Sequence, residues 1–575
     1  MNDREQIIII GASGHARVAI DIVQREGKYD IAGLLNHTAN EQVLGYDVLG
    51  READLPLVAK DYALKGALVA IGDNAVRAEV VARVQALCPD LPFIIAVHPS
   101  ATVASNVLLR EGTIVMAGAV VNPGCTIDRF CILNTGSSLD HDSTMAEFAS
   151  LAPRVATGGH CSIGAYSAIG IGSTLIQGIE IGVHTIIGAG STVLEDVGSF
   201  KVAYGTPARV VRQRKMGDTY LLGRPLRQID EGLCRSFISG KTVLVTGAAG
   251  SIGSELCQQL ARYGAGKVLA LDREETGLYN LGLDLQDTGC PFALIIGDVS
   301  DRERMKTVWS LHQPEIVYHC AAYKHVPMME DCPSEAVKVN VQGLHIITAL
   351  ARKWGTKHFV FISTDKAVCP TGIMGATKRL GELLVLTQQK VTRNKTRFSV
   401  VRFGNILGSR GSVVPAFARA IARGGPVLVT DPQVKRFFMS VSEAVSLVIQ
   451  SGHYGIGGDL FTFDMGELMN ITELASKMIG QQDIEISYIG LRPGEKLAER
   501  LFCPPYESLE STPWPTIMRV RNIDESFRTA PDIDYKQLIR LARQGRDDEV
   551  RDWLMAVVQF SCLEDCIYRD AETLE

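Results

Sequence analysis

From Val103 to Val193 an apolar residue returns at every sixth position. The series is Val103, Leu109, Val115, Val121, Ile127, Leu133, Leu139, Met145, Leu151, Ile163, Ile169, Leu175, Ile181, Ile187 and Val193, with Thr157 the one interruption. A helix repeats at about 3.6 residues and a strand at two, so neither alone explains this spacing. Two residues before each position the side chain is mostly small: Ala119, Cys125, Cys131, Ser137, Ser143, Ala149, Cys161, Ser167, Ser173, Thr185 and Ser191. A triangular coil satisfies both patterns, with one aliphatic side chain pointing inward per face and small residues where the interior narrows. Residues 99–211 are therefore expected to wind about five coils of a left-handed parallel β-helix whose core stacks rung on rung.

The flanks have a different rhythm. Residues 1–98 alternate strands (Ile7–Ile10, Ile31–Leu35, Ala67–Ile71) with a helix over Arg17–Arg25, which predicts a small βαβ domain. Residues 212–240, with Arg212, Arg214, Lys215, Gly217 and Pro225, are predicted to be a linker. Residues 241–530 alternate again, with strands at Thr242–Val245, Lys267–Leu271, Ala293–Ile296, Ile316–Cys320, His358–Ile362 and Phe398–Val401. The expected fold there is a Rossmann-type doubly wound sheet of at least six strands, with a smaller substrate-binding subdomain. Residues 531–575 are predicted to be a helical tail (Tyr535–Arg543, Glu549–Phe560).

Bulk properties narrow the function. A net charge of −6 without a basic run makes nucleic acid a poor partner. The longest aliphatic start stops at Gly11, too short for a membrane span or signal peptide, so a cytoplasmic protein is expected. The thirteen cysteines, including Cys125/Cys131, Cys332 and Cys562/Cys566, lack zinc-ribbon spacing and read as reduced thiols. Cys320 and Cys369 read as small core residues, and no metal site is expected.

After Thr242–Val245 comes a loop with Gly247, Gly250, Ser251, Ile252 and Gly253, then a helix, and Asp272 closes the next strand. Such glycines allow a tight turn and the approach of a pyrophosphate to the helix N-terminus, while the acidic residue can hold both adenosine ribose hydroxyls. Asp272 favours NAD over NADP. The adjoining Arg273 is suited instead to a 2′-phosphate.

The motifs TGAAGSIGSE, GDVSD, AAYKHVP, STDKAV, MGATKR, FGNILGSRGSVVP, RFFM and GLRPGEK follow in that order over about residues 220–520. They resemble the extended short-chain dehydrogenases, and within them the UDP-N-acetylglucosamine 4,6-dehydratases of bacillosamine-type sugar synthesis. The resemblance implies bound NAD contacted also by Asp298, Val299, Ala321, Ala322 and Lys378. It implies that Asp365 is the acid at C6, Lys366 the base at C5, and Thr364 the partner of the 4-hydroxyl. It places Lys324, His325 and Met374 at the sugar, Asn405 at the sugar or diphosphate, and Arg436 and Arg492 at the diphosphate or uridine ribose. Most short-chain dehydrogenases carry Tyr-x-x-x-Lys. Here Lys378 is present and Met374 stands in the tyrosine's place, as in the retaining dehydratases of this group. The proton of the 4-hydroxyl must then leave through water or the cofactor ribose toward Lys378. A lysine can serve as base only if its pKa falls well below about 10.4, through burial or the cofactor's positive charge.

IIIIGASGHARV, AIGDNAVR, VHPSATV, LNTGSSLDHDS and YGTPARVV, over about residues 5–213, are similar to UDP-4-amino-sugar N-acetyltransferases and sialic-acid-type O-acetyltransferases. The similarity implies acetyl-CoA as co-substrate, His141 as base and Asp142 as its orienting carboxylate. It makes Ser13, Gly14, His15 and Asn134 candidate sugar-nucleotide contacts, and Gly159, Gly205 and Pro207 candidate coenzyme A contacts. Ser150 stands where the family has a second histidine.

Together the resemblances imply a bifunctional enzyme for the first and third steps toward a diacetamido-trideoxy sugar, with a separate PLP aminotransferase acting between them. A homo-oligomer is expected, trimeric through the β-helix, with dehydratase dimers giving a hexamer. The rival readings are an O-acetyltransferase, a trimerising scaffold without transferase activity, and a 4-epimerase, which normally uses the missing tyrosine.

Overall fold

The computed structural model describes residues 4–36, 42–214, 217–224, 226–227, 229–391, 394–480, 484–504, 506–522 and 534–559. They form two compact units, Met1–Tyr220 and Leu221–Glu575. Lys215, Pro225, Phe560, Cys562 and Cys566 lie outside the described residues. Among the described residues no helix is long and apolar enough to cross a membrane.

In the first unit, the strands Glu5–Ile10, Tyr29–Leu35 and Gly66–Val69 lie parallel, with Glu5–Ile10 central and the helix Gly14–Glu26 packed on them. Ile7, Ile9, Ile31, Leu34 and Leu68 share one cluster with Ile114, Met116 and Ile132 of the solenoid, so one face of the small α/β layer packs on the first coils, apart from the solenoid's own interior. From Ala96 to Val193 the chain makes two-residue strands that pair in register eighteen residues apart, as in Ile132↔Ser150 and Leu133↔Leu151, and build three parallel sheets. The six-residue aliphatic series fills the interior, which is the left-handed parallel β-helix the spacing predicts.

At the corners the backbone must turn through positive φ. One corner uses Phe130, Phe148, Tyr166, His184 and Phe200, and their rings form a ladder with centroids 4.4–5.1 Å apart. That matches the spacing of neighbouring strands, about 4.8 Å. Another corner runs Gly124, Asp142, His160, Gly178, with non-glycine residues only in the middle two coils.

Thr157, the interruption in the aliphatic series, is buried, and its Oγ1 accepts from the Asp140 amide at 3.1 Å. The equivalent amides of adjoining coils, Asn122 and Gly158, instead bond the carbonyls of Leu139 and Leu175. The irregular rung thus lies one residue before His141.

In the second unit a nine-stranded sheet begins in the order Phe292–Ile296, Lys267–Asp272, Thr242–Thr246, Ile316–His319, His358–Ile362, Arg397–Arg402, Asp459–Phe463, all parallel. Ile517–Asn522 and Glu507–Ser511 extend it antiparallel. The order reverses between Thr242–Thr246 and Ile316–His319, where doubly wound sheets bind ligands. A smaller part carries three two-stranded sheets, one of them pairing Asn405–Ile406 with Phe438–Met439. The stretch read from sequence as linker contains the helix Glu231–Ile238, whose Cys234 and Ile238 are buried in the main core of this unit. The tail helices Tyr535–Arg543 and Asp547–Gln559 bury Leu538, Leu541, Val550 and Leu554 against the segment 329–380.

Thr157→Val completes the aliphatic series yet leaves the Asp140 amide without its acceptor. It should lower the unfolding free energy by about 1 kcal/mol in denaturant titration. Equal or greater stability would show that the hydroxyl has no structural part.

Candidate active sites

At the C-terminal ends of the parallel strands in the second unit lies a cavity of about 510 Å³. Its floor is the glycine loop. Gly247 has φ +72°, and a Cβ there would stand 2.7 Å from the Ala321 amide. A Cβ on Gly253 would overlap the Gly247 carbonyl. The helix Ser251–Arg262 starts on this loop, with Gly250 at its cap, so its free amides face the cavity where an anion is favoured. Asp272 is locked to the loop by accepting the Ala249 amide at 2.9 Å and the Glu274 amide at 3.0 Å. Arg273 lies over the Tyr323 ring, 4.7 Å from its centroid, and 3.8 Å from Asp298. Gly250, Ser251, Ile252, Asp298, Val299, Ala321 and Ala322 line the same cavity, so the loop and strand-end residues expected to hold the cofactor converge.

The opposite wall is the turn after His358–Ile362. Thr364 Oγ1 donates to Asp365 Oδ1 at 2.9 Å, and Lys366 Nζ donates to the same oxygen at 2.9 Å and to Asn405 Oδ1 at 2.9 Å. Thr364, Lys366 and Asn405 line the cavity. Asp365 is fully buried; its Oδ2 has no hydrogen-bond partner and faces Gly404, a cavity residue.

Glu499, which sequence reasoning did not single out, is 3% exposed with Oε1 3.7 Å from Lys366 Nζ. Burial pulls the Lys366 ammonium down, but Asp365 and then Glu499 outweigh it, and the net direction is up. The net direction is therefore opposite to the lowering that a basic lysine needs, with Lys366 held between Asp365 and Glu499. Glu499 sits five residues beyond the GLRPG turn and more than a hundred from Lys366, so no local pattern announces it.

The helix Ile373–Gln389 carries Met374 and Lys378 into the cavity. Lys378 Nζ donates to the Ile362 carbonyl at 2.9 Å, and burial lowers its pKa to about 8. Lys324 and His325 also line the cavity, each pushed down chiefly by burial. Their loop is held by Asn340, whose side chain bonds the Tyr323 amide, the Tyr323 carbonyl and Thr377. Asn340 lies in the π-helical turn Val337–Gly343, another feature without a sequence signal.

Two expected contacts lie apart. Arg436 is buried and spends its guanidinium on the carbonyls of Lys435, Lys496 and Leu497. Arg492 is exposed, and its amide donates to Glu495. Neither lines the cavity, although the Arg436 charge acts on Lys366.

On the solenoid, His141 Nδ1 stands 2.9 Å from Asp142 Oδ2, and both side chains are about half exposed. The Asp142 hydrogen bond raises the imidazole's pKa. Gly159 has a local reason: a Cβ there would stand 2.6 Å from the His141 ring. Gly205 and Pro207 flank an exposed hairpin turn. Ser13 caps the helix Gly14–Glu26, and His15 follows with Nε2 buried and without a partner, its pKa lowered to about 4 by burial and then Arg77. Asn134 Oδ1 accepts the Thr135 amide in a solenoid turn.

A family model described as "Polysaccharide biosynthesis protein" matches residues 243–522, and one described as "PglD N-terminal domain" matches residues 6–84. The chain is 41% identical over 336 residues to the probable polysaccharide biosynthesis protein EpsC of Bacillus subtilis, 55% of each chain being covered. It spans about half the length of the first curated relatives it matches. It is 36% identical over 264 residues to the UDP-N-acetylglucosamine 4,6-dehydratase (inverting) of Campylobacter jejuni subsp. jejuni, covering 45% of this chain and 77% of the relative. A solved mutant GDP-perosamine N-acetyltransferase from Caulobacter crescentus, in complex with CoA and GDP-perosamine, is 34% identical. It covers 36% of this chain and 97% of its own, with a TM-score of 0.35.

Because the folded-state pKa of Lys378 lies below its unfolded value, its burial as an ammonium destabilises the fold below about pH 8. That penalty is relieved as pH rises from about 8 toward about 10.4, since the unfolded chain binds more protons there. A nitrogen-15 lysine titration should show one amine titrating near pH 8, missing from Lys378→Met. A mutant spectrum retaining that titration would assign it elsewhere.

Proposed function

Since the chain belongs to the polysaccharide biosynthesis protein family through residues 243–522, we propose that its second unit is an NAD-dependent UDP-N-acetylglucosamine 4,6-dehydratase. We propose with it that the first unit N-acetylates the derived UDP-4-amino sugar from acetyl-CoA. The observation that carries the first reading is one cavity holding both the glycine cradle and the Thr364–Asp365–Lys366 turn. The glycines suit a bound dinucleotide, since side chains there would collide with backbone. NAD is favoured because Asp272 closes the strand while Arg273 is engaged by Tyr323 and Asp298.

NAD, when bound, supplies an acceptor for the C4 hydride and returns it to C6. The residues handle protons. Thr364 meets the 4-hydroxyl, and Lys378, with its lowered pKa, accepts that proton through the ribose. A proton passed from Lys366 to Asp365 along their 2.9 Å contact creates two required forms at once. The neutral amine takes the C5 proton, and the carboxylic acid protonates the departing 6-hydroxyl. The Lys366 ammonium then gives a proton back to C5 as the hydride reaches C6, and the proton collected at Lys378 replaces the one that left with water. Lys324, His325 and Asn405 are proposed at the sugar. Arg436 and Arg492 remain proposed diphosphate or uridine contacts. A 4-epimerase is the weaker reading, because a thioether at Met374 exchanges no protons.

For the transferase, His141 deprotonates the sugar amine and Asp142 orients it. Ser13, Gly14, His15 and Asn134 contact the nucleotide sugar, while Gly159, Gly205 and Pro207 contact coenzyme A. The proposed assembly is a trimer along the solenoid axis, with dehydratase dimers completing a hexamer. A PLP aminotransferase acts between the two steps.

Lys366→Met and Asp365→Asn should each permit C4 oxidation and stop elimination, leaving a little reduced nicotinamide visible by absorbance. Met374→Ala should keep most activity. Normal release of the 4-keto-6-deoxy product by Lys366→Met would overturn the roles. His141→Ala should lower acetyl transfer by about 10²–10⁴-fold and leave dehydration intact. Near-normal acetylation would place the base elsewhere. Asp142→Asn should move the acid limb of the acetylation pH profile to lower pH, because the bond that raises His141 is weakened; an unmoved limb would contradict the pairing.

A further inference from the structure

The corner that carries Asp142 carries His160 in the next coil, at φ +55° and +56° respectively. The adjoining coils have Gly124 and Gly178 there, the residue type that occupies left-handed backbone at no steric cost. Two side chains with ligand chemistry thus replace glycine on consecutive rungs, and His141 stands beside the first. Asp142 Oδ2 lies 2.9 Å from His141 Nδ1 and 3.9 Å from His160 Nε2, and the two imidazoles are 5.2 Å apart between centroids. All three side chains are at least half exposed. The adjoining Asp140 is engaged through Oδ1 by Asn122 and the His141 amide.

We propose that His141, Asp142 and His160 form a site for a divalent first-row transition metal such as zinc, and that metal bound there shuts off acetyl transfer. Ligand atoms on a tetrahedral zinc lie about 2.0–2.2 Å from the ion, hence about 3.4 Å from one another. The three candidate atoms lie within 4.8 Å of one another, so small side-chain rotations close the set. The solenoid supplies the backbone rigidity, because rungs about 4.8 Å apart fix where the Asp142 and His160 side chains begin. Two imidazoles and one carboxylate suit zinc, nickel or copper, and disfavour magnesium and calcium, which prefer all-oxygen shells. Three protein ligands leave a position open to water. The metal competes directly with the proton that His141 must accept. The inhibitory half of the proposal rests on the reading of His141 as the transferase base; the binding half does not.

The test uses the full chain and zinc chloride in a non-chelating buffer. Zinc binding is followed by calorimetry, with acetylation and dehydration assayed in the same preparation. One zinc per chain should bind in the micromolar range, and acetylation should fall over that range, recover with EDTA and leave dehydration unchanged. His160→Gln should acetylate normally without metal, while its zinc affinity and inhibition weaken by at least about tenfold, or 1.4 kcal/mol. Wild-type zinc binding and inhibition in His160→Gln would overturn the proposal. So would normal acetylation by the unmodified protein at zinc concentrations well above the micromolar range. If the unmodified protein binds zinc through His160 yet never transfers acetyl groups, the metal site stands and the transferase reading fails.

Discussion

Beneath the reactive turn of the second unit, two arginines and two glutamates meet with almost no access to water. Arg402 holds Glu382 at 2.7 Å and Glu507 at 2.9 Å, and Arg379 reaches Glu382 at 3.0 Å. The group is charge-balanced, and removing one member would strand an opposite charge, at about 3–5 kcal/mol. Its position matters more than its energy. Arg402 ends a central strand, Glu382 and Arg379 lie on the helix that brings Met374 and Lys378 to the cavity, and Glu507 belongs to the antiparallel edge. Glu382 also takes the Ser363 hydroxyl at 2.6 Å, one residue before Thr364. One ionic cluster therefore registers the helix, the strand and the turn whose side chains are proposed to move protons.

The first unit meets the same need for rigidity by repetition. The strand amides of the solenoid bond carbonyls one coil away, as Asn122 does with Leu139 and Gly158 with Leu175, so a side chain at a corner is placed by the stack. The irregular rung at Thr157 and the paired non-glycine corners at Asp142 and His160 both occur beside His141. Departure from the repeat is thus concentrated beside the proposed transferase base, the pattern expected where function overrides local regularity. Cradling glycines do comparable work in the other unit, at Gly247 and Gly253.

What could be read in advance was local. The hexad series sufficed for the β-helix because each inward position depends only on its own spacing. The strand–glycine loop–helix sequence likewise announced the cavity floor, with Asp272 beside it. Asn340, Glu382, Arg402 and Glu499 were invisible because their partners come from distant segments. The net upward direction at Lys366 has the same origin: burial is foreseeable from sequence, but the second carboxyl, from Glu499, is not. The resemblance implies Arg436 and Arg492 as diphosphate or uridine ribose contacts. The structure has Arg436 satisfying backbone carbonyls, a demand that no sequence spacing encodes.

The central claim is that one catalytic chamber removes a hydride from C4, eliminates water across C5 and C6, and returns that same hydride to C6. Supplying the full chain with UDP-N-acetylglucosamine deuterated at C4 tests it most directly, with the product's deuterium located by NMR. The account predicts a 4-keto-6-deoxy sugar that has lost one water and carries the deuterium on its C6 methyl group. A 4-epimer of unchanged mass, or a dehydrated product with an unlabelled methyl group, would contradict it.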